Sequence, residues 1–68
     1  MKANYKKLTL AMARACMDTR DLEKASQLPH STLNNVIMGV SVRPSTIGRV
    51  ARALGVDVTE ILEDEEGE

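Results

Sequence analysis

The chain lacks the covalent cross-links and metal sites that commonly stabilise a domain as short as its 68 residues. Its single cysteine, Cys16, cannot form an internal disulfide. One cysteine and one histidine also fall short of the roughly four ligands that a structural zinc ion takes. Because a domain of this size buries only about 60% of its unfolded surface, its stability has to come from an efficient helical core, from a partner subunit, or from both.

The composition favours helices over strands. Hydrophobic residues make up 43% of the chain, but Tyr5 is the only aromatic residue, so the core consists of Leu, Ile, Val, Met and Ala. No apolar run approaches the ~20 residues of a membrane span, and no apolar stretch typical of a signal peptide follows the lysine-rich N-terminus. A free thiol fits a reducing compartment. We therefore expect a cytoplasmic all-α protein with no membrane partner.

Charge is distributed unevenly along the chain. Residues 1–59 hold all nine basic residues and four acidic ones, a net charge of +5, whereas residues 60–68 hold six acidic residues and no basic one, a net charge of −6. The overall charge of −1 therefore conceals a basic body, which leaves a nucleic-acid partner open. We expect residues 63–68 to form a disordered acidic tail that serves solubility, or alternatively one that repels or mimics a phosphate backbone.

Apolar spacing and capping residues predict five short helices. The predicted helices span residues 4–16, 19–26, 30–38 and 45–54, with a short fifth helix after the capping box Asp57-Val-Thr-Glu60. Asp18 and Asp21 form an approximate capping box for the second helix, and Pro29 precedes the third. Tyr5, Leu8, Met12 and Cys16 recur at helical spacing on the first helix, and we expect Cys16 to be a buried core thiol.

The segment from Asp18 to Gly39 combines a capped two-turn helix, a tight break and a second amphipathic helix with small polar residues outside, as in a helix-turn-helix. Its run Asp18-Thr-Arg-Asp-Leu-Glu-Lys-Ala-Ser-Gln-Leu-Pro-His-Ser-Thr-Leu-Asn-Asn-Val-Ile resembles the helix-turn-helix of the Cro/phage-repressor type (XRE) family. The later run Arg43-Pro-Ser-Thr-Ile-Gly-Arg-Val-Ala-Arg-Ala-Leu-Gly-Val-Asp-Val-Thr-Glu-Ile-Leu resembles that family's fourth and fifth helices. The resemblance implies a compact five-helix, lambda-repressor-like DNA-binding domain over residues 1–62.

In this family the third helix enters the major groove of double-stranded DNA, so the resemblance implies that residues 30–38 read base edges. The implied base contacts are His30, Ser31, Thr32 and Asn35. The implied phosphate contacts are Thr19, Asn34, Ser41 and Arg43. The family often dimerises through its fourth and fifth helices, and the surplus apolar residues that we expect to form a homodimer interface are Val56, Val58 and Ile61. The alternative is that all three belong to the core of their own chain.

Among the departures from the family's pattern, three bear most directly on the fold and on the affinity for DNA. Gln27 stands where glycine is common, so a left-handed conformation there carries strain. Glu23 stands where a small residue usually lets the two helices pack. The third predicted helix has no lysine or arginine, which lowers the expected affinity for DNA because phosphate neutralisation supplies much of that affinity.

The sequence is compatible with two functions. The first is a sequence-specific DNA-binding transcriptional regulator, a repressor that binds a palindromic operator as a dimer. The second is an antitoxin-like or anti-repressor protein–protein interaction module on the same fold, which the neutral third helix and the acidic tail favour. An enzyme is not expected, because the sequence contains no pairing of nucleophile with base, no metal set and no glycine-rich phosphate loop. We expect no cofactor and no small-molecule ligand.

Overall fold

The computed structural model describes residues 1–63, which form four α-helices and one closing 3₁₀ turn. The elements are α1 (Tyr5–Arg14), α2 (Thr19–Ser26), α3 (His30–Ile37), α4 (Pro44–Leu54) and the 3₁₀ turn Val58–Glu60. The all-helical class is confirmed for this part of the chain. Except for Glu63, the predicted acidic tail lies outside the described residues. No helix within residues 1–63 is long and apolar enough to cross a membrane.

The predicted fifth helix is wrong, because only a single 3₁₀ turn forms after Asp57. Asp57 caps this turn as expected, since its Oδ2 accepts hydrogen bonds from the amide of Thr59 at 3.1 Å and from its hydroxyl at 2.6 Å. The Glu60 half of the predicted capping box does not form, and the Glu60 carboxylate lies 3.6 Å from the guanidinium of Arg14 instead. Leu62 then forms an isolated antiparallel bridge with Ala3. This pairing requires extended backbone, so the chain cannot continue as a helix beyond the turn.

A single aliphatic core holds the helices together. α2 packs chiefly against α4, and both α1 and α4 contact the 3₁₀ turn. The largest side chains without exposed surface are Leu8, Leu22, Leu33, Val36, Ile47, Val50 and Ile61. Because every helix contributes at least one of them, the core determines the orientation of each helix, including α3.

Two apolar residues expected on the core side of α1 are exposed. Tyr5 has 61% of its surface exposed, and Cys16 is a free, exposed cysteine with φ of 57°. Helical spacing places a residue on a stripe only while the helix continues, and α1 already ends at Arg14. The prediction of Cys16 as a core thiol is therefore wrong, and Met17 packs against the core instead.

The turn between α2 and α3 follows the sequence prediction closely. Asp18 and Asp21 form a complete capping box at the start of α2. Ser26, rather than Ala25, is the buried residue of the last turn of α2. Gln27 then adopts the left-handed conformation, with φ of 59° and ψ of 32°. The strain expected at this position is therefore present in the fold.

We expect the substitution Gln27→Gly to raise the free energy of unfolding by about 1 kcal/mol. Glycine removes the ~1–2 kcal/mol that a Cβ adds in the left-handed region, and the greater flexibility of the unfolded chain offsets part of that gain. Urea denaturation followed by circular dichroism measures the difference. Gln27→Ala is the matched control, because it shortens the side chain but keeps the Cβ. Equal stability of the two variants would contradict the assignment of strain to the backbone.

Two capping carboxylates make the free energy of unfolding depend on pH in the acidic range. The pKa of Asp18 is lowered from 3.8, mainly by the hydrogen bond from the Asp21 amide, and the pKa of Asp57 is lowered from 3.8, mainly by the Thr59 hydroxyl. Because each folded-state pKa lies below the unfolded value, this stabilisation is complete above the unfolded value and is lost as the pH falls through the folded value.

We therefore expect the difference in stability between the wild-type chain and the double variant Asp18→Asn, Asp57→Asn to shrink as the pH falls from about 5 to about 2. Asparagine still caps a helix but does not ionise. Urea midpoints measured across this range test the expectation. A difference that stays constant over the range would show that the two carboxylates are not preferentially ionised in the folded chain.

Candidate functional site

α3 has a buried face and an opposite face of exposed polar side chains. Leu33 and Val36 have no exposed surface and fix the helix against the core. The exposed polar residues of the helix are His30, Ser31, Asn34 and Asn35. At about 100° of rotation per residue, these four positions lie within an arc of about 140°. The helix therefore presents a polar surface on a rigid support.

Most of this surface has no partner inside the chain. Within residues 1–63, the side chains of Ser31, Asn34 and Asn35 form no hydrogen bond or ion pair. An asparagine amide carries two donor hydrogens and an acceptor oxygen, so the Asn35 side chain can both donate hydrogen bonds to an external ligand and accept them from it. Thr32 is only half-exposed, at the edge of the polar face. It is consequently the least accessible of the four predicted base contacts.

Carboxylates lie at the N-termini of both α2 and α3. The Asp18 and Asp21 carboxylates occupy the start of α2, beside the exposed Thr19. No side chain caps α3, because Pro29 occupies its N-cap position. Helix N-termini favour anions, but only where carboxylates do not already occupy them. A phosphate that contacts Thr19 has to approach past these two carboxylates, and the start of α3 also carries a carboxylate, that of Glu23, 2.9 Å from Nδ1 of His30.

The loop between α3 and α4 carries the other predicted phosphate contacts. Ser41 and Arg43 are both exposed, and Arg43 has no ion-pair partner in the described part of the chain. The amide of Val42 between them donates to the carbonyl of Met1 at 2.7 Å. The loop is therefore attached to the N-terminal segment rather than held by α3 and α4 alone.

This N-terminal segment was not predicted as a structural element. The amide of Asn4 donates to the carbonyl of Ile61 at 2.8 Å, and the amide of Glu63 donates to the carbonyl of Lys2 at 3.0 Å. Ala3 lies between these bonds and is buried. The segment thereby connects the end of the described chain to the loop that carries Arg43. Three residues are too few for an alternating strand pattern, so the sequence contains no clear signal for this pairing.

Glu23 and His30 form a contact across the turn that was also not predicted. Glu23 Oε2 lies 2.9 Å from Nδ1 of His30, the first residue of α3. The side chain of His30 is 77% exposed and that of Glu23 is 32% exposed. The larger residue at position 23 is therefore accommodated because its carboxylate reaches the start of the next helix.

The three residues predicted to form a dimer interface are not equally placed. Ile61 has no exposed surface, so it belongs to the core of its own chain and cannot contact a partner as predicted. Val56 and Val58 are half-buried and pack against the core with part of their surface exposed. Larger exposed apolar surfaces lie elsewhere, at Leu10 and Met38, which are 60% and 71% exposed.

No group of three or more histidine, cysteine or acidic residues within residues 1–63 is arranged to hold a metal ion.

A family model for the Cro/C1-type HTH DNA-binding domain matches residues 7–67 of the chain. The matched region includes all of α2, α3 and α4 and the loop that carries Arg43. Comparisons with curated proteins and with solved structures gave no match.

Proposed function

The chain belongs to the Cro/C1-type helix-turn-helix DNA-binding family, and on this basis we propose that it is a sequence-specific transcriptional regulator, a repressor that binds a palindromic operator. The observation that carries the proposal is the exposed polar face of α3, which has few partners in the described chain and is supported by the buried Leu33 and Val36. The major groove of B-DNA admits one α-helix, and short polar side chains let its backbone approach the bases.

The proposed contacts divide into two classes. Asn35 pairs with the N6 and N7 atoms of an adenine, and the other base contacts come from His30, Ser31 and the edge residue Thr32. The proposed phosphate contacts are Asn34, Ser41, Arg43 and, less favourably, Thr19. Arg43 supports this division best, because its charged side chain is exposed, unpaired in the described chain and located one loop away from α3.

We further propose that the protein acts in the cytoplasm as a homodimer, which places two α3 helices about 34 Å apart along one face of the DNA. Val56 and Val58 are the proposed contacts, since both keep exposed surface beyond the end of α4. Sedimentation equilibrium at micromolar concentration is expected to give twice the monomer mass. Val58→Glu is expected to give a folded monomer, and Val40→Glu, in the loop before α4, serves as the control. A wild-type chain that stays monomeric both free and on DNA would overturn the dimer.

A protein–protein interaction module is the second candidate function. α3 contains no lysine, arginine, aspartate or glutamate, so it offers no permanently charged side chain to a phosphate backbone. The carboxylates at the start of α2 add negative charge nearby. Both observations favour a protein partner over DNA at the same surface.

Selection of bound sequences from a random pool of duplex DNA distinguishes the two functions. We expect enrichment of a sequence with two symmetric half-sites one helical turn apart. Binding to the enriched duplex should weaken with rising salt, with a slope of log K against log salt near about −0.9 for each phosphate contacted. Failure to bind any duplex at low salt would overturn the proposed function and favour the protein partner.

A further inference from the structure

The contact between Glu23 and His30 restricts which ring nitrogen carries the hydrogen. The His30 Nδ1 and Glu23 Oε2 atoms lie 2.9 Å apart, which is a hydrogen-bond distance. An ionised carboxylate can only accept hydrogen bonds, so Nδ1 has to be the donor. Glu23 is the one charged group paired with His30 among residues 1–63. The contact therefore places a hydrogen on Nδ1, so a neutral ring in this geometry carries its single hydrogen there.

The other ring nitrogen is then left as an acceptor. A neutral imidazole has one N–H group, so a hydrogen on Nδ1 leaves a lone pair on Nε2. The side chain of His30 is 77% exposed, so Nε2 remains accessible to a ligand. In the major groove, only the N6 amino group of adenine and the N4 amino group of cytosine donate hydrogen bonds, whereas guanine presents two acceptors.

We propose that Glu23 is a specificity-determining positioning residue, which holds His30 in the Nδ1–H form so that Nε2 accepts a hydrogen bond from adenine or cytosine. This inference rests on the proposed function, because it assigns a base preference to a residue on the DNA-reading face. Without Glu23 the ring takes the Nε2–H form that unconstrained neutral histidine favours. His30 would then donate to acceptors such as N7 and O6 of guanine, and the preferred base would change without any change in His30 itself.

The ring form can be measured directly, because the chain contains a single histidine. Nitrogen-15 chemical shifts of the imidazole distinguish the two neutral forms at about pH 8.5, about two units above the ordinary histidine pKa. The wild-type chain is expected to be mainly Nδ1–H, and Glu23→Ala mainly Nε2–H. Glu23→Gln keeps an acceptor oxygen without the charge, so it is expected to retain the Nδ1–H form. A wild-type ring that is mainly Nε2–H would overturn the inference.

The base preference is then compared by selection from random duplex DNA at the same pH. At one operator position, the wild-type chain and Glu23→Gln are expected to favour adenine or cytosine over guanine by about fivefold, the equivalent of one hydrogen bond. Glu23→Ala is expected to lose or reverse this preference. Lys24→Ala, which replaces the exposed neighbour of Glu23, is the control and should leave both the ring form and the preference unchanged.

The two readouts separate the possible failures. An unchanged base preference in Glu23→Ala, despite a changed ring form, would overturn the role in specificity. A wild-type chain that binds no duplex overturns the proposed function and the base-reading step together. In that case the ring measurement still decides whether Glu23 sets the form of His30.

Discussion

Replacement of Leu33 by alanine is expected to lower the free energy of unfolding by about 2–5 kcal/mol. Leu33 is fully buried and lies on the core face of α3, so the substitution removes buried methyl groups and leaves a cavity. A chain of this length has a total stability of only about 3–10 kcal/mol. The variant should therefore be largely unfolded at modest denaturant concentrations, and it should lose the support of the polar face of α3.

Urea denaturation followed by circular dichroism measures this loss. Leu10→Ala is the matched control, because it is the same substitution at a helical residue that is 60% exposed. A change within about 0.5 kcal/mol is expected there. Equal effects of the two substitutions would contradict the placement of Leu33 in the core and, with it, the orientation of α3.

Asn35→Ala is expected to weaken binding to the selected operator by about 1–3 kcal/mol, because it removes a proposed bidentate contact with a base. Asn35 is exposed and forms no side-chain hydrogen bond within the described residues, so the substitution leaves no unpaired group inside the protein. Stability should change little. Selection with the variant should show that one base position is no longer specified.

Arg43→Ala is the comparison variant, because it removes a proposed phosphate contact instead of a proposed base contact. Loss of a phosphate contact is expected to weaken binding to all duplexes about equally and to reduce the salt slope by about one unit. Fluorescence anisotropy with operator and non-operator duplexes at several salt concentrations measures both variants. If Asn35→Ala and Arg43→Ala behave alike, the division between base and phosphate contacts is wrong.

Features of the fold that depend on neighbouring residues could be predicted from the sequence. The Asp18–Asp21 capping box links residues three positions apart, and Gly39 and Gly55, which follow α3 and α4, have positive φ values, as is common for glycine at the end of a helix. The left-handed Gln27 belongs to the same class, because it follows from the tight break before Pro29. Local hydrogen bonds and steric limits determine all of these features.

Features that depend on distant contacts could not be predicted in this way. The bridge between Ala3 and Leu62 joins the two ends of the described chain, and it accounts for the 3₁₀ turn that replaces the expected fifth helix. The burial of Ile61 depends on the same closure, since its carbonyl accepts the amide of Asn4. The spacing of apolar residues also placed Cys16 on the first helix, but in the structure this helix ends at Arg14.

The candidate site shows the same distinction. The polar face of α3 could be predicted, since four of its eight residues are polar and exposed on the side opposite Leu33 and Val36. The contact of Glu23 with His30 could not, because it requires the angle at which α3 leaves the turn. Seven positions separate the two residues, and the sequence suggested only a packing difficulty at Glu23.

Titration of the nitrogen-15-labelled chain with the selected duplex tests most directly whether the polar face of α3 is the DNA-reading surface. The largest changes in amide chemical shift are expected at residues 30–35, with further changes at Ser41 and Arg43. A non-operator duplex should affect the two loop residues more than the face of α3. Changes concentrated on α1 or the 3₁₀ turn, with residues 30–35 unaffected, would contradict the proposed interface.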